Sequence, residues 1–187
     1  MYFHASQTPN LSVLEPRVSN HGTPLIYFFQ KRENCLVYLS NAVEKFCRET
    51  GFPHTSPWTK WGPYGFTTDG LLQLDKYYPN ALAETYRGVS GYIYAVEAIP
   101  DPGAPIEIPG VVTSRSPVPV LRCEFVADAL AEILKAEQHG LLAISRYETM
   151  TDARRRWVAE TIEREYRDPA ATPEYRYFLK AKLRLAD

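Results

Sequence analysis

The side chains of this chain best suited to chemistry are a histidine, two tyrosines and three carboxylates, all beside short apolar runs. His4 lies in Tyr2-Phe3-His4-Ala5-Ser6, Tyr27 in Leu25-Ile26-Tyr27-Phe28-Phe29, and Tyr38 shortly after it. Glu97, Asp101 and Glu107 lie in or beyond a third apolar run, residues 91–99. A histidine can hydrogen-bond a hydroxyl without carrying charge. A tyrosine offers a flat apolar face with a polar tip. A carboxylate stabilises positive charge that develops in a transition state. Each also has a structural reading: His4 as a strand-end hydrogen-bonder, Tyr27 and Tyr38 as core cover, the carboxylates as solvated loop acids.

Several other chemistries are excluded. The chain has no G-x-S-x-G nucleophile turn, and no H-E-x-x-H, P-loop or G-x-G-x-x-G motif. His4, His21, His54 and His139 are scattered without metal-ligand spacing. Cys35, Cys47 and Cys123 are odd in number and include no C-x-x-C, which argues against a disulfide framework or a zinc site.

The elements that must position these residues can be read from periodicity. Residues 2–6 read as a short strand. Residues 25–29 form an unbroken apolar and aromatic run suited to a buried strand. Leu36, Leu39, Val43 and Phe46 follow at helical spacing, predicting one amphipathic helix from about Glu33 to Thr50, stopped by Gly51 and Pro53. The polar turn 30–34 between them either caps that helix or faces a ligand. Residues 53–86 are a long excursion carrying Trp58, Trp61 and Tyr64. Its aromatics predict packing, as a lid or a small core of its own. Residues 69–86 are expected to form short helical turns with Leu71, Leu72, Leu74 and Leu82 inward. Residues 91–99 are the clearest strand, being rich in β-branched and aromatic residues. A further extended run covers 118–125, and helices are expected over 126–139, 152–166 and from about Pro173. This order predicts an α+β fold with a mostly antiparallel or split sheet. Residues 1–125 form the core, and 126–187 add C-terminal helices on the same domain.

Composition narrows the class further. The chain has 187 residues, 45% hydrophobic and 23% charged, as expected for a globular domain. Its net charge of −1 provides no global field for nucleic acid or acidic membranes. Arg154-Arg155-Arg156 reads as a solvated helix face. No stretch is long and apolar enough to span a bilayer. Residues 1–4 lack a signal-peptide pattern, and buried reduced cysteines point to a cytoplasmic setting.

Taken in order, these segments resemble the ADP-ribosyltransferase superfamily, particularly its compact rifampin ADP-ribosyltransferase type. Residues 2–6 are similar to that family's opening strand, aromatic-aliphatic-His-Gly-Thr/Ser. Pro24-Leu25-Ile26-Tyr27-Phe28-Phe29 resembles its tyrosine-bearing strand that leads into a helix. Gly91-Tyr92-Ile93-Tyr94-Ala95-Val96-Glu97 resembles its Val-Tyr-Val-Val-Glu-Pro strand. Thr113-Ser114-Arg115-Ser116-Pro117-Val118 resembles its Ser-Tyr-Arg-x-x-Pro continuation. The last third of the chain is not covered. The departures are Ala5 at the usual glycine and the 53–86 excursion, which has no counterpart in the compact family.

The resemblance implies an ADP-ribosyltransferase-like fold that consumes NAD. It assigns His4 to a ribose of NAD and Tyr27 to stacking on the nicotinamide, with Ser6 and Tyr38 as further cofactor-binding candidates. It assigns Asp101 or Glu107 as the acid that stabilises an oxocarbenium-like state. It leaves the acceptor of ADP-ribose open. Two alternatives stand beside it. One is a non-enzymatic binding module on the same fold. The other is an NAD-dependent RNA 2′-phosphotransferase, a related class that holds phosphates with arginines, for which Arg17, Arg32 and Arg115 are the candidates.

Overall fold

A computed structural model describes residues 1–18, 22–55, 64–103, 106 and 108–183. Trp58, Trp61 and Glu107 lie outside the described residues.

The chain begins with β1 (Tyr2–Ser6), two short strands, β2 (Val13–Leu14) and β3 (Arg17–Val18), and then β4 (Pro24–Phe29). A 3₁₀ segment, Arg32–Leu39, leads to α1 (Ala42–Thr50). After these come β5 (Tyr64–Phe66), β6 (Leu72–Asp75), α2 (Ala81–Tyr86), β7 (Gly91–Val96), β8 (Val111–Ser114), β9 (Val118–Pro119) and β10 (Arg122–Val126). The last third holds α3 (Ala129–Gln138), β11 (Ala143–Ser145), α4 (Asp152–Arg167) and α5 (Pro173–Leu183). The fold is α+β, and its strand pairs are antiparallel apart from β6 with β11.

The main sheet is ordered β10-β7-β1-β4-β3, with β8 also paired to β4. β7 lies between β1 and β10 and is buried at every position but Tyr92. A strand covered on both faces reads as a near-continuous apolar run, and this explains why it was the most legible in sequence. β10 is an edge strand, and Arg122 and Glu124 on it discourage edge-to-edge pairing.

Registers reveal the feature that matters most. β1 runs with β7 through five residue pairs, Tyr2–Val96 to Ser6–Tyr92. On its other edge it meets β4 at one pair, Phe3 with Phe29. β4 is held instead by β8 along Ile26–Phe29 and by β3 at Pro24 and Leu25. The sheet therefore splits between β1 and β4.

One core packs Phe29, Leu36, Leu39 and Ile93 against Leu72, Leu74 and Ile133. A second, on the opposite side, gathers Leu14, Ile26, Phe28, Tyr94, Val96 and Val118. A third joins Ala42, Val43 and Cys47 of α1 to Val158, Ile162, Phe178 and Leu179, which docks the C-terminal helices.

The structure departs from the expected elements in three places. The helix predicted over 33–50 is broken. Ser40 is extended (φ −144°, ψ 144°), and Asn41 caps α1, its Oδ1 accepting from the N–H groups of Val43 (2.9 Å) and Glu44 (3.1 Å). A side-chain acceptor that satisfies the first orphan N–H groups competes with continuing the preceding helix. Residues 72–75 form a strand rather than helical turns. Leu72 and Leu74 alternate inward, and distant partners, β5 and β11, decide the outcome. The run 118–125 divides into β9 and β10 on different sheets, while β8 goes unanticipated in sequence.

Gly91 is required where the 3₁₀ segment meets the sheet. A Cβ there would lie 2.7 Å from Leu39 Cδ2 and 3.1 Å from the Ser6 carbonyl oxygen. Its absence lets Leu39 close over β1 and β7. Gly51 ends α1 in the left-handed region (φ 71°), its N–H donating to the Cys47 carbonyl.

Candidate ligand-binding cleft

Where β1 and β4 part, a cleft of about 740 Å³ opens. Its size falls in the ordinary range for small-molecule sites, roughly 300–1,000 Å³. One wall is His4, Ala5, Ser6 and Gln7; the facing wall is Leu25, Ile26, Tyr27 and Phe29. Tyr38 to Asn41 and Glu44 close one side, with Tyr64 beside them, and Glu15, Arg17 and Val18 line another. His4, Ser6, Tyr27 and Tyr38, the four binding residues expected from sequence, thus share one cleft.

His4 bridges the split. Its Nδ1 lies 2.9 Å from the Tyr27 carbonyl oxygen, which can only accept, so Nδ1 carries the hydrogen. Burial holds the imidazole below its usual pKa of 6.5; the Tyr27 contact opposes that shift, and the nearby Arg17 charge adds to it. A neutral ring with its hydrogen on Nδ1 leaves Nε2 as an acceptor. His4 is therefore built to accept from a ligand hydroxyl rather than donate to it. The ring also lies 6.1 Å from the Phe28 ring, tilted by 58°.

Three phenols cluster opposite. Tyr38 and Tyr64 share a hydrogen bond of 2.5 Å between their hydroxyls, and their rings meet edge-on at 6.0 Å. Burial first, then the neighbouring phenols, pushes the Tyr38 hydroxyl well above its ordinary range. Burial also raises Tyr64, against the lowering effect of its bond to Tyr38. Tyr27 is close enough to act on both. The Tyr38 and Tyr64 hydroxyls therefore stay protonated at physiological pH and offer neutral hydrogen bonds, and the three rings offer flat faces. Tyr64 opens β5, so the 53–86 excursion contributes directly to the cleft wall.

The expected acids fare differently. Asp101 is exposed, accepts from Ser116 Oγ (2.8 Å), and receives the Arg115 N–H at its carbonyl (3.3 Å). It braces a turn and does not line the cleft. Glu107 lies outside the described residues, but Ile106 and Ile108 on either side line the cleft. The carboxylates that do line it, Glu15 and Glu44, were not singled out in sequence. Glu44 carried one usable signal: it stands three residues after Asn41, the spacing of a helix cap and its third helical residue.

Of the three arginines considered for phosphate, only Arg17 lines the cleft. Arg32 is tied to Glu124 and to Glu132 (3.2 Å) in a separate hollow, and Arg115 lies in the turn braced by Asp101. None of residues 30–34 lines the cleft, and the 3₁₀ segment that begins at Arg32 has no side-chain cap at Lys31. Among the described residues no group of three or more His, Cys, Asp or Glu is placed to hold a metal. Cys35 and Cys47 are buried free thiols, and burial pushes Cys35 far up. Among the described residues no helix is long and apolar enough to cross a membrane.

Compared with protein-family models, with curated proteins and with solved structures, the chain has no match, so the chemistry of this cleft carries the functional argument.

Proposed function

We propose that the cleft binds NAD and that the protein is an ADP-ribosyltransferase-like enzyme that uses NAD as substrate. One observation carries the reading. His4, Ser6, Tyr27 and Tyr38 come from three separate segments and line the two sides of one split in the sheet. The phenol cluster supplies flat faces for the nicotinamide ring. His4 Nε2 accepts a ribose hydroxyl.

The chemistry follows from this arrangement. The bond between ribose C1′ and the nicotinamide nitrogen breaks heterolytically. Its electron pair neutralises the pyridinium, and positive charge develops on the ribose. A carboxylate close to that charge lowers the barrier. Glu44 and Glu15 are in the cleft wall. An acceptor nucleophile then bonds to C1′ and gives up a proton. The position of Asp101 outside the cleft favours one further reading, a protein that binds NAD without consuming it.

Thermal unfolding in NAD tests the first step. At a ligand concentration 100 times the dissociation constant the folded state gains about 2.7 kcal/mol. For a chain of this size that corresponds to a rise of roughly 5–10 °C. An unfolding temperature unchanged by millimolar NAD contradicts the proposal. Released nicotinamide then separates an enzyme from a binder.

A further inference from the structure

Contacts around the split define an order along the cleft. Tyr64 and Tyr38 are joined at their hydroxyls, Tyr27 lies beside both, and its carbonyl holds His4. Arg17 of β3 follows: it pairs with Leu25 of β4, two residues before Tyr27, and both line the same cleft. The sequence is thus an aromatic group, a neutral hydroxyl acceptor, and a cation. Arg17 supplies the only fixed positive charge among the described residues lining the cleft. Among the described residues its guanidinium has no carboxylate partner, unlike Arg32, Arg146 and Arg167. Glu15 and Glu44 also line the cleft, so its field is dipolar rather than uniformly positive. A guanidinium fork matches a phosphate in shape as well as charge.

We infer that Arg17 forms a phosphate subsite, and that the cleft recognises a 5′-phosphorylated nucleoside unit with its ring on the tyrosines, a ribose hydroxyl on His4 and its phosphate on Arg17. This rests on the NAD reading and sharpens it. The cleft selects nucleotides over nucleosides, and its two carboxylates tolerate a cationic ring such as nicotinamide at the other end.

The test is calorimetric titration of the full chain with NAD, nicotinamide mononucleotide, nicotinamide riboside and ADP. Arg17 is exposed in a two-residue strand, so Arg17→Gln should fold, and thermal unfolding confirms that. Wild type should bind the mononucleotide at least about tenfold more tightly than the riboside, as expected for a hydrogen bond to a charged group. Arg17→Gln should erase that preference and leave riboside binding unchanged. Arg17→Lys, which keeps the charge but loses the fork, should restore part of it. A preference that persists in Arg17→Gln, or equal binding of the two ligands by wild type, overturns the subsite while NAD binding stands. If NAD and the mononucleotide fail but ADP binds and loses affinity in Arg17→Gln, the NAD reading falls and the phosphate subsite survives. Binding of none of the four overturns both.

Discussion

His4 is the residue on which structure and chemistry meet. Its Nδ1–H is committed to the Tyr27 carbonyl, and burial keeps the ring neutral. Its folded pKa lies below 6.5 while the unfolded chain titrates near 6.5, so the unfolded state binds more protons between these values. The His4 contribution to stability is therefore fully present above pH 6.5. It is lost as pH falls through the folded pKa. Denaturant midpoints at pH 7.5 and pH 5 should fall further for wild type than for His4→Gln, other groups cancelling in the comparison. Equal losses in the two proteins contradict a neutral, buried His4. Protonation also removes the Nε2 acceptor, so NAD binding should weaken over the same pH range. The histidine was legible from its place in an aromatic strand. Its tautomer was not, because that depends on a carbonyl 23 residues away that only the split sheet brings near.

At the scale of elements, the break between the 3₁₀ segment and α1 shapes the cleft. It turns Tyr38, Leu39, Ser40 and Asn41 into wall residues that a continuous helix would have carried past. Asn41→Ala removes the acceptor for two N–H groups and should cost about 0.5–2 kcal/mol, read as a lower denaturant midpoint. If the cap also sets the cleft wall, ligand affinity falls with it; stability unchanged within error contradicts the capping role. Gly91→Ala tests the other side of the same junction. Its Cβ would press on Leu39, an overpacking worth roughly 1–3 kcal/mol. The strands β1, β4 and β7 were readable because their apolar runs are locally unambiguous. Residues 72–75 were not. Leu71-Leu72-Gln73-Leu74 suits a helix or a strand, and partners six to ten residues away in β5 and seventy away in β11 choose between them. β8 was missed for the same reason: four residues have too little pattern until β4 lies beside them.

Across the whole molecule, the C-terminal helices stabilise the element that walls the cleft. Phe178 is fully buried against α1 with Phe46 and Tyr78, and Val158 and Ile162 join it. Phe178→Ala should cost about 3–5 kcal/mol. Because α1 carries Glu44 and follows Asn41, that loss should reach the cleft as well. The helical tail was legible from its periodicity; its docking on α1 was not, since sequence spacing says nothing of which apolar faces meet. His4, Ser6, Tyr27 and Tyr38, which share the cleft, were singled out in sequence because a family resemblance supplied their order. Glu15 and Glu44 were not, because nothing in their local pattern says which wall they will join. The central claim is that the split between β1 and β4 is an NAD site. Calorimetric titration of NAD into wild type and Tyr27→Ala tests it most directly. Wild type should bind saturably with one site, and Tyr27→Ala, shown to be folded by a cooperative thermal transition above the titration temperature, should bind at least about tenfold more weakly, as loss of a stacking face predicts. No heat of binding in wild type, or equal affinity in both proteins, would contradict it.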